Sequence, residues 1–306
     1  MKKYIFALIF WLYVFSTFSQ QPFSMEAAVR YLASPELEGR KIHTKGDTLA
    51  IQYLVNQFEM MEIKPFFNQF EQPFCGHFRT KKGTICSRNV MAFVEGTDQK
   101  LKEQYILICA HFDHLGKTEE GYFPGANDNA SGTAVVIWLA DYFAKNPTKR
   151  SLIFACFAGE ELGFLGSYSF TKLFPDSLDK IQCVINFDMV GRYDEGGLRI
   201  AGKGTSKLLK ETVRNVSEKK EIIPKKKFPL FFFRSDHIVF YRQKIPFLCF
   251  NTGIDKKNYH SHKDDVDSID FKGMETIAGF AQQVIAELGN DLSWLKPKKK
   301  SLIRSP

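Results

Sequence analysis

The sequence has 306 residues, of which 44% are hydrophobic and 25% are charged. This suits one large α/β domain, or two smaller ones, with a substantial buried core. The formal net charge is +8, but seven cationic residues lie near the ends: Lys2, Lys3, Lys296, Lys298, Lys299, Lys300 and Arg304. The body of the chain is therefore close to neutral, which argues against nucleic acid as a partner.

The N-terminus has the pattern of a secretory signal peptide. Lys2 and Lys3 precede an apolar run over 4–15, and small polar residues follow it. The run is shorter than the roughly 20 residues of a membrane span, so we expect no stable membrane anchor, with an uncleaved anchor as the alternative. We predict a signal peptide over 1–19 and export to the periplasm or the extracellular medium.

Six cysteines fall into two groups. Four lie inside apolar runs and are expected to be small buried residues, namely Cys109, Cys156, Cys183 and Cys249. Cys75 and Cys86 instead flank a polar, glycine-containing stretch. In an exported protein these two residues could close a hairpin-like loop as a disulfide, but sequence alone leaves the pairing open.

Helical and strand-like patterns alternate along the chain. Apolar residues at helical spacing predict helices at 24–33 and 49–61, a third helix from 128 to before Pro147, and a fourth that follows Gly163 and ends at about 173. Further helices are predicted at 205–219, 235–243 and 269–288. Apolar, β-rich runs predict strands at 89–95, 104–110, 151–158, 181–187 and 246–251. This order predicts a single three-layer α/β/α domain over 20–290, with a central mixed, mostly parallel sheet. The basic segment 291–306 is expected to be a disordered tail.

Three successive predicted central strands end on residues that commonly bind metals. These are His111, the pair Glu160 and Glu161, and Asp188. Since parallel strands present their carboxyl ends at one edge of a sheet, we expect these side chains to converge.

Two more candidates lie at the start of the third helix and in a late loop. Asp128 and His260 can reach the same edge of the sheet. Two histidines and three carboxylates suit two zinc ions, with one carboxylate bridging them and one further acid free as a base.

Each residue also has an ordinary structural interpretation. Asp128 could be a helix N-cap, Glu160 and Glu161 could be first-turn acids favoured by a helix dipole, and Asp188 could cap a turn. These interpretations do not explain why every central strand ends in a ligand-type residue, so we favour the metal site.

The ordered motifs resemble those of metallopeptidase family 28, the secreted dizinc aminopeptidases. They are YLASPELEGR, AHFDH, GANDNASG, FAGEELGFLGS, NFDMVGR, SDHIVFYRQKIPFLCFNTG and NYHSHKDD. The similarity runs from about Tyr31 to the last predicted helix. Each motif is weak by itself, but the series is specific, and it implies a zinc exopeptidase-like fold.

The resemblance implies a ligand set. His111 and Asp188 would hold one zinc ion, Glu161 and His260 would hold the other, and Asp128 would bridge both. This gives two Zn²⁺ ions per chain.

The resemblance also implies roles for neighbouring residues. Glu160 would be the general base, Tyr259 would donate a hydrogen bond to the developing oxyanion, and Asp113 would orient the His111 ring. His114 and His262 remain alternative ligands.

Two further segments are expected to lie near the cleft. We expect Asp236 and His237 to line the cleft without binding metal. Phe231–Phe233 could shape an apolar pocket, although core packing is the more common use of such a run.

These inferences favour a zinc-dependent exopeptidase, specifically an aminopeptidase acting on peptides with a free N-terminus. Carboxypeptidase or dipeptidase action stays open. The alternatives are a glutaminyl cyclase, which performs acyl transfer with one zinc ion, and a non-catalytic binding domain of the same fold. The sequence does not indicate an oligomeric state.

Overall fold

The computed structural model describes residues 23–77, 84–225 and 234–293. The helices are α1 (Met25–Leu32), α2 (Lys45–Met60), α3 (Gly132–Lys145), α4 (Leu165–Leu173), α5 (Tyr193–Gly196), α6 (Lys207–Lys220), α7 (His237–Arg242) and α8 (Phe271–Asn290). The strands are β1 (Lys64–Pro65), β2 (Glu71–His77), β3 (Thr84–Val94), β4 (Tyr105–His111), β5 (Lys117–Thr118), β6 (Gly121–Tyr122), β7 (Ser151–Phe157), β8 (Ile181–Phe187), β9 (Arg199–Ala201) and β10 (Phe247–Asn251).

Eight of the strands form one mixed sheet. Its order is β1-β3-β7-β4-β8-β10-β9, and β2 pairs with β3. Strands β7, β4, β8 and β10 are mutually parallel, whereas β3 and β9 run antiparallel to their central neighbours. The parallel centre brings the carboxyl ends of β7, β4 and β8 to one edge, as the sequence predicted, and the end of β10 lies at the same edge. β5 and β6 form a separate small hairpin.

Helices cover both faces of the sheet. On β4, Ile106 and Ile108 face one core, which also contains residues of α1, α2, α3, α6 and α8. Leu107 and Cys109 alternate to the opposite face, where they pack with residues of α4 and α7. This alternation is the two-residue period of a strand that is buried on both faces. The predicted three-layer α/β/α architecture is confirmed.

The predicted central strands and long helices are found, with shifted ends. The strand predicted at 89–95 begins earlier, at Thr84, because it pairs with the unpredicted β2. The helix predicted to start at Asp128 begins at Gly132, and an irregular turn precedes it. The predicted signal peptide, the segment Phe231–Phe233 and most of the basic segment 291–306 lie outside the described residues. In the described ranges, no helix is both long and apolar enough to span a bilayer.

Arg40, at the end of the YLASPELEGR motif, is a fully buried arginine that bonds to backbone carbonyls. It donates hydrogen bonds to the carbonyl oxygens of Phe112 (2.7 Å), Pro124 (2.6 Å), Gly125 (2.9 Å) and Leu32. One guanidinium therefore connects α1 to the segment after β4 and to the loop before α3.

Arg150 has the same kind of environment, but it directly precedes β7, at the end of that strand away from Glu160 and Glu161. It is 1% exposed and donates to the carbonyls of Leu288 (2.9 Å), Ser293 (2.7 Å) and Asp291, and to the side chain of Gln104. This arginine attaches the start of the central strand to the end of α8. It is a natural control for Arg40, because it lies away from the carboxyl ends of the strands.

Cys75 and Cys86 form a disulfide between β2 and β3. The two residues are direct cross-strand partners in the antiparallel register. The other four cysteines are free and buried, as expected. The bond closes a loop with a sequence separation of 11.

We expect the double variant Cys75→Ala/Cys86→Ala to lower the free energy of unfolding by about 2–3 kcal/mol, because a short closed loop restricts the unfolded chain by roughly that amount. Urea denaturation monitored by fluorescence measures the change. Reductant should shift the midpoint of the wild type toward that of the variant and leave the variant unaffected. A wild-type midpoint that does not respond to reductant would contradict the prediction.

Candidate metal centre

The carboxyl ends of β4, β7 and β8 place the predicted ligands at one edge of the sheet. His111 is the last residue of β4, and Asp188 directly follows β8. Glu160 and Glu161 follow β7 after a turn at Gly159, whose φ of +76° lies in the left-handed region that glycine adopts without strain. The three strand ends meet there, as the sequence predicted.

Asp128 lies in the irregular turn Ala126–Ser131 and not at a helix start. The carboxylate of Asp264 accepts hydrogen bonds from the backbone N–H groups of Asn127 (3.0 Å) and Asp128 (2.9 Å). Asn129 accepts from Gly132 N–H (3.0 Å) and donates to the Phe187 carbonyl (2.9 Å). These side chains replace the helical hydrogen bonds of the turn, so the N-cap interpretation of Asp128 is wrong. The peptide bond Asp128–Asn129 is cis.

The two carboxylate oxygens of Asp128 face two different histidines. Its Oδ1 lies 3.4 Å from Nε2 of His111, and its Oδ2 lies 3.2 Å from Nε2 of His260. Asp188 lies 3.7 Å from the same His111 nitrogen, and Glu161 lies 3.5 Å from the same His260 nitrogen. The five predicted ligands thus form two adjoining groups that share Asp128.

Glu160 lies beside these two groups without an ion pair to either histidine among the described contacts. Burial raises its pKa well above the usual value, although the nearby His111 opposes the shift. Burial likewise raises the pKa of Asp188. The cleft is lined by His111, Asp128, Glu160, Glu161, Asp188, Met189, Arg234, Ile254, Tyr259 and His260.

Asp113 has a broader role than the sequence indicated. Nδ1 of His111 lies 3.2 Å from the backbone carbonyl of Asp113 and 3.6 Å from its carboxylate. The carboxylate also accepts hydrogen bonds from the N–H groups of Glu160 (3.1 Å) and Glu161 (3.4 Å). Asp113 therefore orients the imidazole mainly through its carbonyl, while its side chain holds the turn that carries both glutamates. A Nδ1–H donor leaves Nε2 of His111 free to face the carboxylates.

The alternative histidines have distinct positions. Nδ1 of His114 lies 3.1 Å from Oε1 of Glu161, and its buried Nε2 has no hydrogen-bond partner among the described residues. His262 turns away, since its Nδ1 lies 2.8 Å from the Tyr122 carbonyl and its ring stacks on Phe123. His260 is therefore the loop histidine that reaches Asp128 and Glu161. His114 also lies close enough to Asp128 and Glu161 to form a metal-binding group with them, so it stays an alternative ligand.

Asp236 and His237 do not line the cleft, contrary to expectation. Both are fully buried. The Asp236 carboxylate accepts a hydrogen bond from the Ser167 hydroxyl (2.5 Å), and the His237 ring stacks on Phe247. They belong to the packed layer of α4 and α7, since Ser167 lies in α4 and His237 is the first residue of α7.

The donor set fits zinc. Imidazole nitrogens and carboxylate oxygens converge within a few ångströms of one another in a buried setting, and zinc binds both donor types. Among the described residues, the ion pairs of Asp128, Glu161 and Asp188 are all with histidines. Such a concentration of buried carboxylates is costly unless cations balance it.

Comparisons with known proteins agree with this geometry. The model for peptidase family M28 matches residues 89–285. A probable zinc metalloprotease of Pyrenophora teres f. teres is 35% identical over 105 residues, which cover 33% of this chain and 22% of that protein. The matched segment thus spans about a fifth of that relative's length.

Solved structures share the fold. A zinc aminopeptidase from Bacillus subtilis has a TM-score of 0.71 at 15% identity, covering 90% of this chain and 98% of that one. A glutaminyl cyclase of Fimbriiglobus ruber has a TM-score of 0.71 at 21% identity, covering 89% and 97%. The family model covers most of the chain and includes every strand end at the centre, so the protein belongs to peptidase family M28.

Proposed function

We propose that the protein is a zinc-dependent exopeptidase, specifically an aminopeptidase that uses two zinc ions. The observation that carries this proposal is the orientation of Asp128, whose two oxygens face His111 and His260 separately. His111 and Asp188 would hold one ion, and Glu161 and His260 would hold the other. Asp128 would bridge them. When bound, the ions polarise the scissile carbonyl and lower the pKa of water.

Glu160 is the proposed general base. It follows β7 next to the ligand Glu161, lines the same cleft and makes no ion pair with either ligand histidine among the described contacts. Its burial raises the carboxyl pKa well above the usual value, which favours a group that can hold a proton during the reaction. Glu160 takes the proton of the attacking water. As the C–N bond breaks, it passes that proton to the leaving amine.

Tyr259 is the proposed hydrogen-bond donor to the oxyanion. Its ring stacks on His260 with the ring centroids 3.8 Å apart, and it lines the cleft. Burial, together with nearby carboxylates such as Asp128, raises the pKa of the phenol. The hydroxyl therefore keeps its proton at neutral pH and can donate to a developing negative charge.

A glutaminyl cyclase is the second candidate, because the solved cyclase matches the fold with the same TM-score as the Bacillus aminopeptidase. The two reactions differ in their expected metal content. A full set of five donors in two groups supports two ions and the peptidase reaction. The same complete set argues against a non-catalytic binding domain.

We also propose that the protein is exported. The lysines and apolar run of the N-terminus support this. The disulfide between Cys75 and Cys86 is of a kind that persists in oxidising compartments.

Release of the N-terminal residue tests the proposed function. A peptide with a free amine should be cleaved at its first bond, and its acetylated counterpart should not, since an exopeptidase of this type recognises the amine. A chelator should abolish cleavage, and added zinc should restore it. Mass spectrometry of the products reads the outcome. Cleavage of both peptides would point to carboxypeptidase or endopeptidase action, and cyclisation of an N-terminal glutamine would favour the cyclase.

Adjacent glutamates provide a matched pair of variants. Glu160→Gln should lower kcat on the order of a hundredfold or more, because it removes proton transfer, and should still bind two zinc ions per chain. Glu161→Gln should lose zinc, because it removes a proposed ligand. Mass-spectrometric metal analysis and steady-state kinetics separate the two effects. Normal turnover by Glu160→Gln would refute its role.

The two buried arginines test how the centre is supported. Arg40→Met and Arg150→Met should each lower the free energy of unfolding by on the order of 3 kcal/mol, because buried carbonyls lose charged donors. Only Arg40→Met should weaken zinc binding, since Arg40 bonds to carbonyls beside His111 and before Asp128. Chelator competition measures zinc affinity. Equal zinc affinity in both variants would limit Arg40 to general stabilisation.

A further inference from the structure

A second, larger pocket adjoins the metal cleft. Its volume is about 650 Å³, and Ile254 lines both cavities. Its charged lining residues are Arg192, Glu195, Arg199, Asp255, Lys256 and Lys257. Four of these side chains are cationic and two are acidic, in contrast to the acid-rich cleft next to it.

Arg192 is the buried cation of this pocket. Its side chain is 6% exposed, and its Nε and Nη2 atoms make no hydrogen bond to any described residue. The acid within ion-pair distance is Asp255, whose Oδ2 lies 3.5 Å from Nη2. A buried guanidinium with unused donors is costly unless a ligand or water satisfies them.

Asp255 is already engaged by its own turn. Its carboxylate accepts hydrogen bonds from the Lys257 N–H (3.0 Å) and from the side chain of Asn258 (2.5 Å). Its carbonyl accepts from the Tyr259 N–H (2.8 Å). The acid therefore closes the loop that leads to Tyr259 and His260. Among the described residues, Nε and Nη2 of Arg192 have no hydrogen-bond partner.

We propose that this pocket binds a carboxylate group of the peptide substrate, with Arg192 as the central contact. Guanidinium groups bind carboxylates through paired, charge-assisted hydrogen bonds. The carboxylate is the C-terminus of a short peptide or the side chain of an acidic residue near the scissile bond. This inference rests on the proposed peptidase function and narrows its substrates to carboxylate-bearing peptides. The ordinary alternative is an ion pair with Asp255 that only stabilises the loop.

Three matched peptides test the proposal on the zinc-loaded enzyme. The first is a neutral tripeptide with a free C-terminal carboxylate, the second is its C-terminal amide, and the third is the amide with glutamate at the second position. The wild type should show a kcat/KM about tenfold or more higher for a carboxylate-bearing peptide than for the neutral amide, mainly through KM. Preference for the first peptide identifies the C-terminus as the group bound, and preference for the third identifies the side chain.

Variants assign the preference to this pocket. The preference is the ratio of kcat/KM for the favoured carboxylate-bearing peptide to kcat/KM for the neutral amide. Arg192→Gln should reduce this ratio about tenfold or more, and Arg192→Lys should retain part of it by keeping the charge. Asp255→Asn should raise the ratio, because it removes the competing charge while an asparagine can still close the turn. The control Arg242→Gln replaces an arginine that bonds to the Tyr168 hydroxyl on the α4–α7 face, and it should leave the ratio unchanged.

The outcomes separate the two proposals. If the neutral amide is cleaved in a zinc-dependent way and all three peptides react equally, the peptidase function stands and the carboxylate pocket is refuted. If Arg192→Gln misfolds, the Asp255→Asn variant decides whether the pocket binds a carboxylate. An unchanged or lower kcat/KM ratio in that variant refutes the carboxylate proposal. If no peptide is cleaved, the proposed function fails and this inference fails with it.

Discussion

The repulsion between buried carboxylates is the constraint on which the rest of this structure depends. The carboxylates of Asp128, Glu161 and Asp188 lie within 3.2–3.7 Å of two imidazole nitrogens and are 10% exposed or less. At an effective dielectric constant of about 20, two unit charges 4 Å apart interact by roughly 4 kcal/mol. Several such repulsions approach the whole stability of a typical domain. A fold that brings these groups together therefore needs rigid support and a compensating positive charge.

That support comes mainly from the backbone. The carboxylates of Asp113 and Asp264 each accept two main-chain N–H groups, and in this way hold the Glu160–Glu161 turn and the Asp128 turn. Arg40 donates hydrogen bonds to the carbonyls of Phe112, which follows His111, and Gly125, which precedes the Asp128 turn, and it adds a buried positive charge. Burial raises the pKa of Asp264, and the hydrogen bonds from the Asn127 and Asp128 N–H groups oppose that shift. Asp113, Asp264 and Arg40 thus position the turns that carry Asp128, Glu160 and Glu161.

The sequence predicted the parts of the site that follow from strand periodicity. His111 and Asp188 terminate apolar runs, and parallel pairing is enough to bring them together. The turn at Asp128 was beyond such reasoning, because its shape depends on hydrogen bonds to Asp264, which is distant along the chain. His114 and Arg40 lay inside recognised motifs, but their contacts are tertiary. Asp236 and His237 were misplaced because their burial depends on tertiary contacts, with Ser167 of α4 and Phe247 of β10.

His260 differs from the other four proposed ligands in how it is held. Its side chain is 33% exposed, whereas those of His111, Asp128, Glu161 and Asp188 are 10% exposed or less. It lies on the loop that Asp255 closes, and this loop also forms a wall of the cationic pocket. Exposed loops are where local opening costs least. If a substrate carboxylate binds in the pocket as proposed, it would contact the same loop that carries Tyr259 and His260. Substrate binding and the proposed metal centre would then be linked through one element.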